Sequence, residues 1–167
     1  MTANAPWQSG IDPMTNNSAL QLGDTRLVSL TLPWSGRLWG DCGNQSSCWH
    51  SSGSYATLFE FDASTDAIAY DISLVDALTL GMKILPENPA CSPVECDIPA
   101  YVGLSANKKP LCPFCCGPGE EGAKQCVGSN PWFKAACPHV YTYASDDAAG
   151  VHTCHTTGFK IIFTCPS

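Results

Sequence analysis

The stretch TLFEFDASTDAIAYDISL, residues 57–74, carries two alternating runs separated by small and acidic turn formers. In Thr57–Phe61, Phe59 and Phe61 fall on one side of an extended chain and Leu58 and Glu60 on the other, because strand side chains alternate with a period of two. In Ala67–Leu74, Ile68, Tyr70 and Ile72 share a side, opposite Ala69, Asp71 and Ser73. Both runs read as strands, and the short separation predicts that they lie side by side. The aromatic and aliphatic sides then point to the core. Glu60 and Asp71 come to the same accessible face, with Asp76 five residues further on.

The rest of the chain has the same character. Arg26–Leu32 (RLVSLTL), Val140–Ala144 (VYTYA) and Phe159–Thr164 (FKIIFT) also read as strands, the last buried on both faces except at Lys160. Helical spacing is confined to short windows around Ser73–Leu80 and Trp132–Ala136. Residues 86–131 lose periodicity and are dominated by proline, glycine and cysteine, a composition that holds together only through cross-links. The expectation is a single all-β domain over residues 1–167 with a disulfide-stapled excursion at 86–131.

Composition narrows the function classes. Of 167 residues, 8 are Lys or Arg and 15 Asp or Glu, giving a net charge of −7. A nucleic-acid footprint needs a basic stripe, and the few basic residues here are scattered. No apolar run approaches the ~18 residues of a spanning helix, and the acidic balance disfavours anionic membranes. The 11 cysteines point to an oxidising compartment and so to a secreted protein. Residues 1–15 show neither the basic nor the apolar segment of a signal peptide. Two Asn-x-Ser acceptors, at Asn16 and Asn44, fit a secretory route.

Six ordered motifs resemble the thaumatin-like protein family, small members of the pathogenesis-related type 5 or osmotin-like kind. WSGRLWG (34–40) is similar to its Gly-Arg-aromatic-Trp-Gly strand, and GDCGNQSSC (40–48) to its Gly-Asp-Cys-Gly loop. TLFEF and AYDISLVDAL are similar to two of its strands, and Cys91-x4-Cys96 has the family spacing. NPWFKAACPHVYTYASDDAAGVHTCHTTGFKIIFTCP (130–166) is similar to its C-terminal end. The resemblance implies a thaumatin-like β-sandwich with a shortened disulfide-rich loop region. It implies bridges Cys42–Cys48, Cys91–Cys154, Cys96–Cys137, Cys112–Cys115 and Cys116–Cys126. Cys165 is then the free thiol, because the family's first strand and its early Cys are absent ahead of this sequence.

The resemblance also implies an acidic cleft. The family's arginine, glutamate and three aspartates match Arg37, Glu60, Asp71, Asp76 and Asp146, with Asp147 able to exchange roles with Asp146. Read from the residues alone, Glu60 and Asp71 serve equally well as solvated strand carboxylates. Taken with the resemblance they make a catalytic pair, with Glu60 as proton donor and Asp71 as ionised partner. Arg37, Asp76 and Asp146 are then substrate-binding residues. The implied function is binding of β-1,3-glucan in cell walls by a monomer without a cofactor, with a weak endo-β-1,3-glucanase activity. The alternatives are a non-catalytic carbohydrate-binding defence protein and a membrane-perturbing antifungal. Tyr70, Tyr101 and Trp132 are candidates to stack on sugar faces or to fill the core.

Other chemistry finds little support. Cys112-x-x-Cys115, Cys116 and Cys126, with His139, His152 and His155, contain the raw materials of a zinc site but lack a second paired motif. A structural bridge is the preferred reading, and no metal is expected. There is no Gly-x-Ser-x-Gly and no phosphate-binding glycine loop.

Overall fold

The computed structural model describes residues 2–4, 23–40, 57–75, 80–97, 131–143 and 145–164, of which 2–4, 131 and 132 by backbone alone. Asp76, Tyr101, Cys42, Cys48, Cys112, Cys115, Cys116, Cys126, Cys165 and most of the 86–131 excursion lie outside the described residues.

Among the described residues, eight strands and two short helices follow one another: β1 (Thr2–Asn4), β2 (Ser35–Trp39), β3 (Leu58–Asp62), β4 (Ile68–Ser73), β5 (Gly81–Pro86), β6 (Val94–Cys96), α1 (Pro131–Ala136), α2 (Asp147–Gly150), β7 (His152–Cys154) and β8 (Phe159–Thr164). The larger sheet runs β1-β2-β3-β4-β7 and the smaller β6-β5-β8. Every named strand pair is antiparallel. The protein is all-β, a two-sheet sandwich of the kind the resemblance implies.

Alternation builds the core between the sheets. Leu38, Phe59, Phe61, Tyr70 and Ile72 from the larger sheet meet Met82, Ile84 and Val94 from the smaller in one buried cluster. Each such side chain contributes about 1.5–3 kcal/mol of burial. Phe159 of β8 reaches across, its ring centroid 5.4 Å from Phe59 and 5.0 Å from Tyr70. Trp34 stacks on Phe61 at 4.3 Å. Gly36 makes room for this indole: a Cβ there would lie 2.5 Å from the Trp34 ring.

The β3–β4 hairpin closes as its turn residues dictate. Ser64 N–H donates to Asp62 Oδ1 at 2.9 Å, and the Thr65 hydroxyl donates to the Ala67 carbonyl at 2.8 Å. Such local side-chain bonds favour a turn over continued strand.

Among the described residues two disulfides staple the layers. Cys91, ahead of β6, is bridged to Cys154 in β7, with Cα atoms 5.7 Å apart. Cys96 in β6 is bridged to Cys137, just after α1, at 5.4 Å. Both pairings match those implied by the family resemblance.

The structure departs from the sequence reading in four places. Arg26–Leu32 is not a strand: Leu27 and Leu32 are 90% and 60% exposed, and Leu30 is the leucine of the run that packs on the core. In the expected strand Val140–Ala144, the described residues 140–143 contribute a parallel bridge, Tyr141 to Ser73, before Asp146 hydrogen bonds draw the chain into a turn. Phe159–Thr164 is half-buried and not enclosed on both faces, because β8 is an edge strand among the described residues. Gly81–Pro86 is the strand β5, a segment to which the sequence reading assigned no element.

Candidate functional site

On the outer face of the larger sheet, three polar side chains stand in one cross-strand row. Arg37 of β2 is opposite Glu60 of β3. Glu60 is in turn opposite Asp71 of β4. Directly opposed residues of antiparallel strands project from the same face, with Cβ atoms about 4.5–5.5 Å apart. The expected juxtaposition of Glu60 and Asp71 is therefore present, and Arg37 extends it. All three are half-buried. The next row along the same face is different: Trp39, Leu58 and Ser73 are buried, Trp39 and Leu58 forming a second small apolar cluster. The row of charges thus borders an apolar wall and is only partly open to water.

That placement governs the electrostatics. Burial, then repulsion from Glu60 and from Asp147, pushes the Asp71 carboxyl up to about 8. Asp71 Oδ1 is buried without a hydrogen-bond partner. A neutral carboxyl tolerates such burial far better than a carboxylate does. At neutral pH Asp71 holds a proton, the opposite of its expected role as the ionised member of the pair. Arg37 Nε is likewise buried and unpartnered.

The two C-terminal acids separate sharply. Asp146 is 3% exposed. Its Oδ2 accepts from Lys134 Nζ at 2.6 Å, from Thr142 N–H at 3.0 Å and from the Thr142 hydroxyl at 3.1 Å. Burial pushes its carboxyl up, but those donors outweigh burial and hold it below the ordinary carboxylate range. An acid so engaged anchors α1 to the turn before α2. Asp147, its neighbour, is the acid that acts electrostatically on Asp71.

Tyr70 is 1% exposed and donates its hydroxyl to the Ser92 carbonyl at 2.7 Å, so it is a core residue and not a stacking platform. The residue that sequence reasoning passed over is Tyr141. Its hydroxyl donates to Asp147 Oδ1 at 3.0 Å. The alternation in VYTYA hinted only at a strand.

Among the described residues no group of His, Cys, Asp and Glu is arranged to hold a metal ion. Among them, too, no helix is long and apolar enough to cross a membrane. The arrangement offers a protonated carboxyl beside an acidic neighbour and a guanidinium, on a sheet face with an apolar border.

Comparison with known proteins agrees with the motifs. The family model described as the Thaumatin family matches residues 3–113. A thaumatin-like protein of Arabidopsis thaliana is 32% identical, over 96% of this chain and 86% of its own length. Pathogenesis-related thaumatin-like protein 3.8 of Cryptomeria japonica is 33% identical, over 76% of this chain and 61% of its own. The pathogenesis-related 5 protein Cup a 3 of Hesperocyparis arizonica is also 33% identical, over 76% and 69%.

Proposed function

The chain belongs to the thaumatin family, and from that premise we propose that it is a secreted defence protein that binds β-1,3-glucan along the Arg37–Glu60–Asp71 row. Weak endo-β-1,3-glucanase activity resides in the same row. The observation that carries the reading is the cross-strand register that sets a guanidinium and two carboxyls side by side. Similarity to pathogenesis-related relatives supports the defence role. The two disulfides suit an oxidising, extracellular setting.

The chemistry follows from the proton inventory. Glycoside hydrolysis uses one carboxylic acid to protonate the leaving oxygen and one carboxylate as base or nucleophile. Asp71, kept protonated by burial and by its acidic neighbours, is the donor. Glu60, opposite the Arg37 guanidinium, is the ionised partner. Sugar hydroxyls donate to the carboxylate and accept from Arg37.

Release of reducing ends from linear β-1,3-glucan tests the catalytic part. Asp71→Asn, which cannot donate an acidic proton, lowers the rate by a factor of about 100 or more. Retention of the wild-type rate in that variant sinks the assignment. The second reading, binding without turnover, predicts capture on insoluble glucan by wild type and Asp71→Asn alike, with no reducing ends from either. A membrane-perturbing role is disfavoured by the net charge of −7 and predicts leakage from glucan-free anionic vesicles.

A further inference from the structure

We propose that Tyr141 is a positioning residue that fixes the Asp147 carboxylate as the third acid of the Glu60–Asp71 site. The proposal rests on the reading of that row as the functional surface, and it assigns parts to two residues outside the row.

Tyr141 is itself held from several sides. Its backbone N–H donates to the Ile72 carbonyl at 2.9 Å, and its carbonyl accepts from Leu74 N–H at 2.8 Å. These two bonds straddle Ser73 and lash Tyr141 to β4 immediately beyond Asp71. From the other side α2 packs against it: a Cβ at Gly150 would lie 2.7 Å from Tyr141 Cα, so only glycine allows this approach. The Tyr141 hydroxyl accepts from Ser145 N–H at 2.8 Å and donates to Asp147 Oδ1 at 3.0 Å. Ser145 adopts a φ of +76°, a left-handed conformation uncommon outside glycine and asparagine, and in it the amide meets that hydroxyl.

The neighbouring acid is withdrawn by a separate set of bonds. Lys134 and both donors of Thr142 engage Asp146 Oδ2. The adjacent aspartates therefore have divided tasks: Asp146 secures the turn, and Asp147, steadied by the tyrosine, acts on Asp71. Among the described residues the charged groups that act on Asp71 are Glu60 from β3 and Asp147 from α2, with Arg37 one strand further along the row. On β7, His152 is opposite Tyr70 and so belongs to the other face.

A carboxyl-carbon NMR titration of Asp71 tests this without any glucan. Tyr141→Phe keeps the ring and removes the hydroxyl, releasing Asp147. The Asp71 midpoint then falls by roughly half a unit or more. Asp147→Asn leaves the Tyr141 hydroxyl in place and lowers the midpoint at least as far, and adding Tyr141→Phe to it gives no further fall. An unchanged or raised midpoint in Tyr141→Phe overturns the proposal. So does an unchanged midpoint in Asp147→Asn, whatever the tyrosine variant does. Binding of a soluble β-1,3-gluco-oligosaccharide is measured on the same samples. Its absence from wild type removes the glucan reading and leaves the titration result standing.

Discussion

Glu60 and Asp71 face each other directly across the β3–β4 pair, with the buried Leu58–Ser73 pair two residues along on the same face. Two carboxyls held side by side next to an apolar wall cannot both ionise without cost, and burial keeps the proton on Asp71. The tight hairpin enforces the conflict, because the turn bonds of Asp62 and Thr65 fix its register.

The first consequence is a pH-dependent stability. Asp71 is raised from 3.8 in the free chain to about 8 in the fold. Between those values the folded state binds more protons than the unfolded one at this group, so the Asp71 contribution to stability is greatest below pH ~4 and is lost as pH rises through 8. Asp71→Asn removes the decline. Its melting temperature is expected to exceed wild type at pH 8 and to approach it at pH 4; a variant that tracks wild type at both contradicts the buried-proton account.

Asp146 responds in the opposite sense. Its carboxyl is lowered, so its contribution is complete above pH ~4 and is lost as pH falls through its folded value. Asp146→Asn leaves Lys134 without its anionic partner and costs roughly 3 kcal/mol at neutral pH, read by denaturant unfolding. Asp147→Asn costs under about 1 kcal/mol, since its partner hydroxyl is exposed.

The long staple can be weighed separately. Cys91 and Cys154 are 63 residues apart in sequence. Removing both sulfurs as a Cys91→Ala, Cys154→Ala pair costs about 4 kcal/mol by loop-closure entropy, measured as a shift in the denaturant midpoint. A shift near zero means that the unfolded chain is not restrained by this bridge.

Gly36 offers a packing test. With the Trp34 indole lying across it, Gly36→Ala forces that ring off Phe61 and costs about 1–3 kcal/mol. Near-ultraviolet circular dichroism is expected to lose the stacked-aromatic signal.

Legibility in the sequence followed the strength of local patterns. The TLFEF and AYDIS runs alternate cleanly, so their faces and the Glu60–Asp71 juxtaposition could be read before any coordinates. Arg26–Leu32 alternates as well, yet Leu27 stays in water; a pattern shows that a strand can bury a face, not that a neighbour exists. The roles of Asp146 and Asp147 were out of reach for a different reason. They are adjacent and chemically identical, and only Lys134, Thr142 and Tyr141, each brought in by tertiary packing, tell them apart. Likewise the proton on Asp71 depends on burial beside Glu60, which one-dimensional spacing does not reveal.

The most direct test is an amide NMR titration with a soluble linear β-1,3-gluco-oligosaccharide. The account predicts that shifts gather on Arg37, Glu60 and Asp71 and spare the Lys83–Glu95 ion pair on the far side of the smaller sheet. Shifts confined to Lys83 and Glu95, or none at Arg37, Glu60 and Asp71 under saturating sugar, would contradict it.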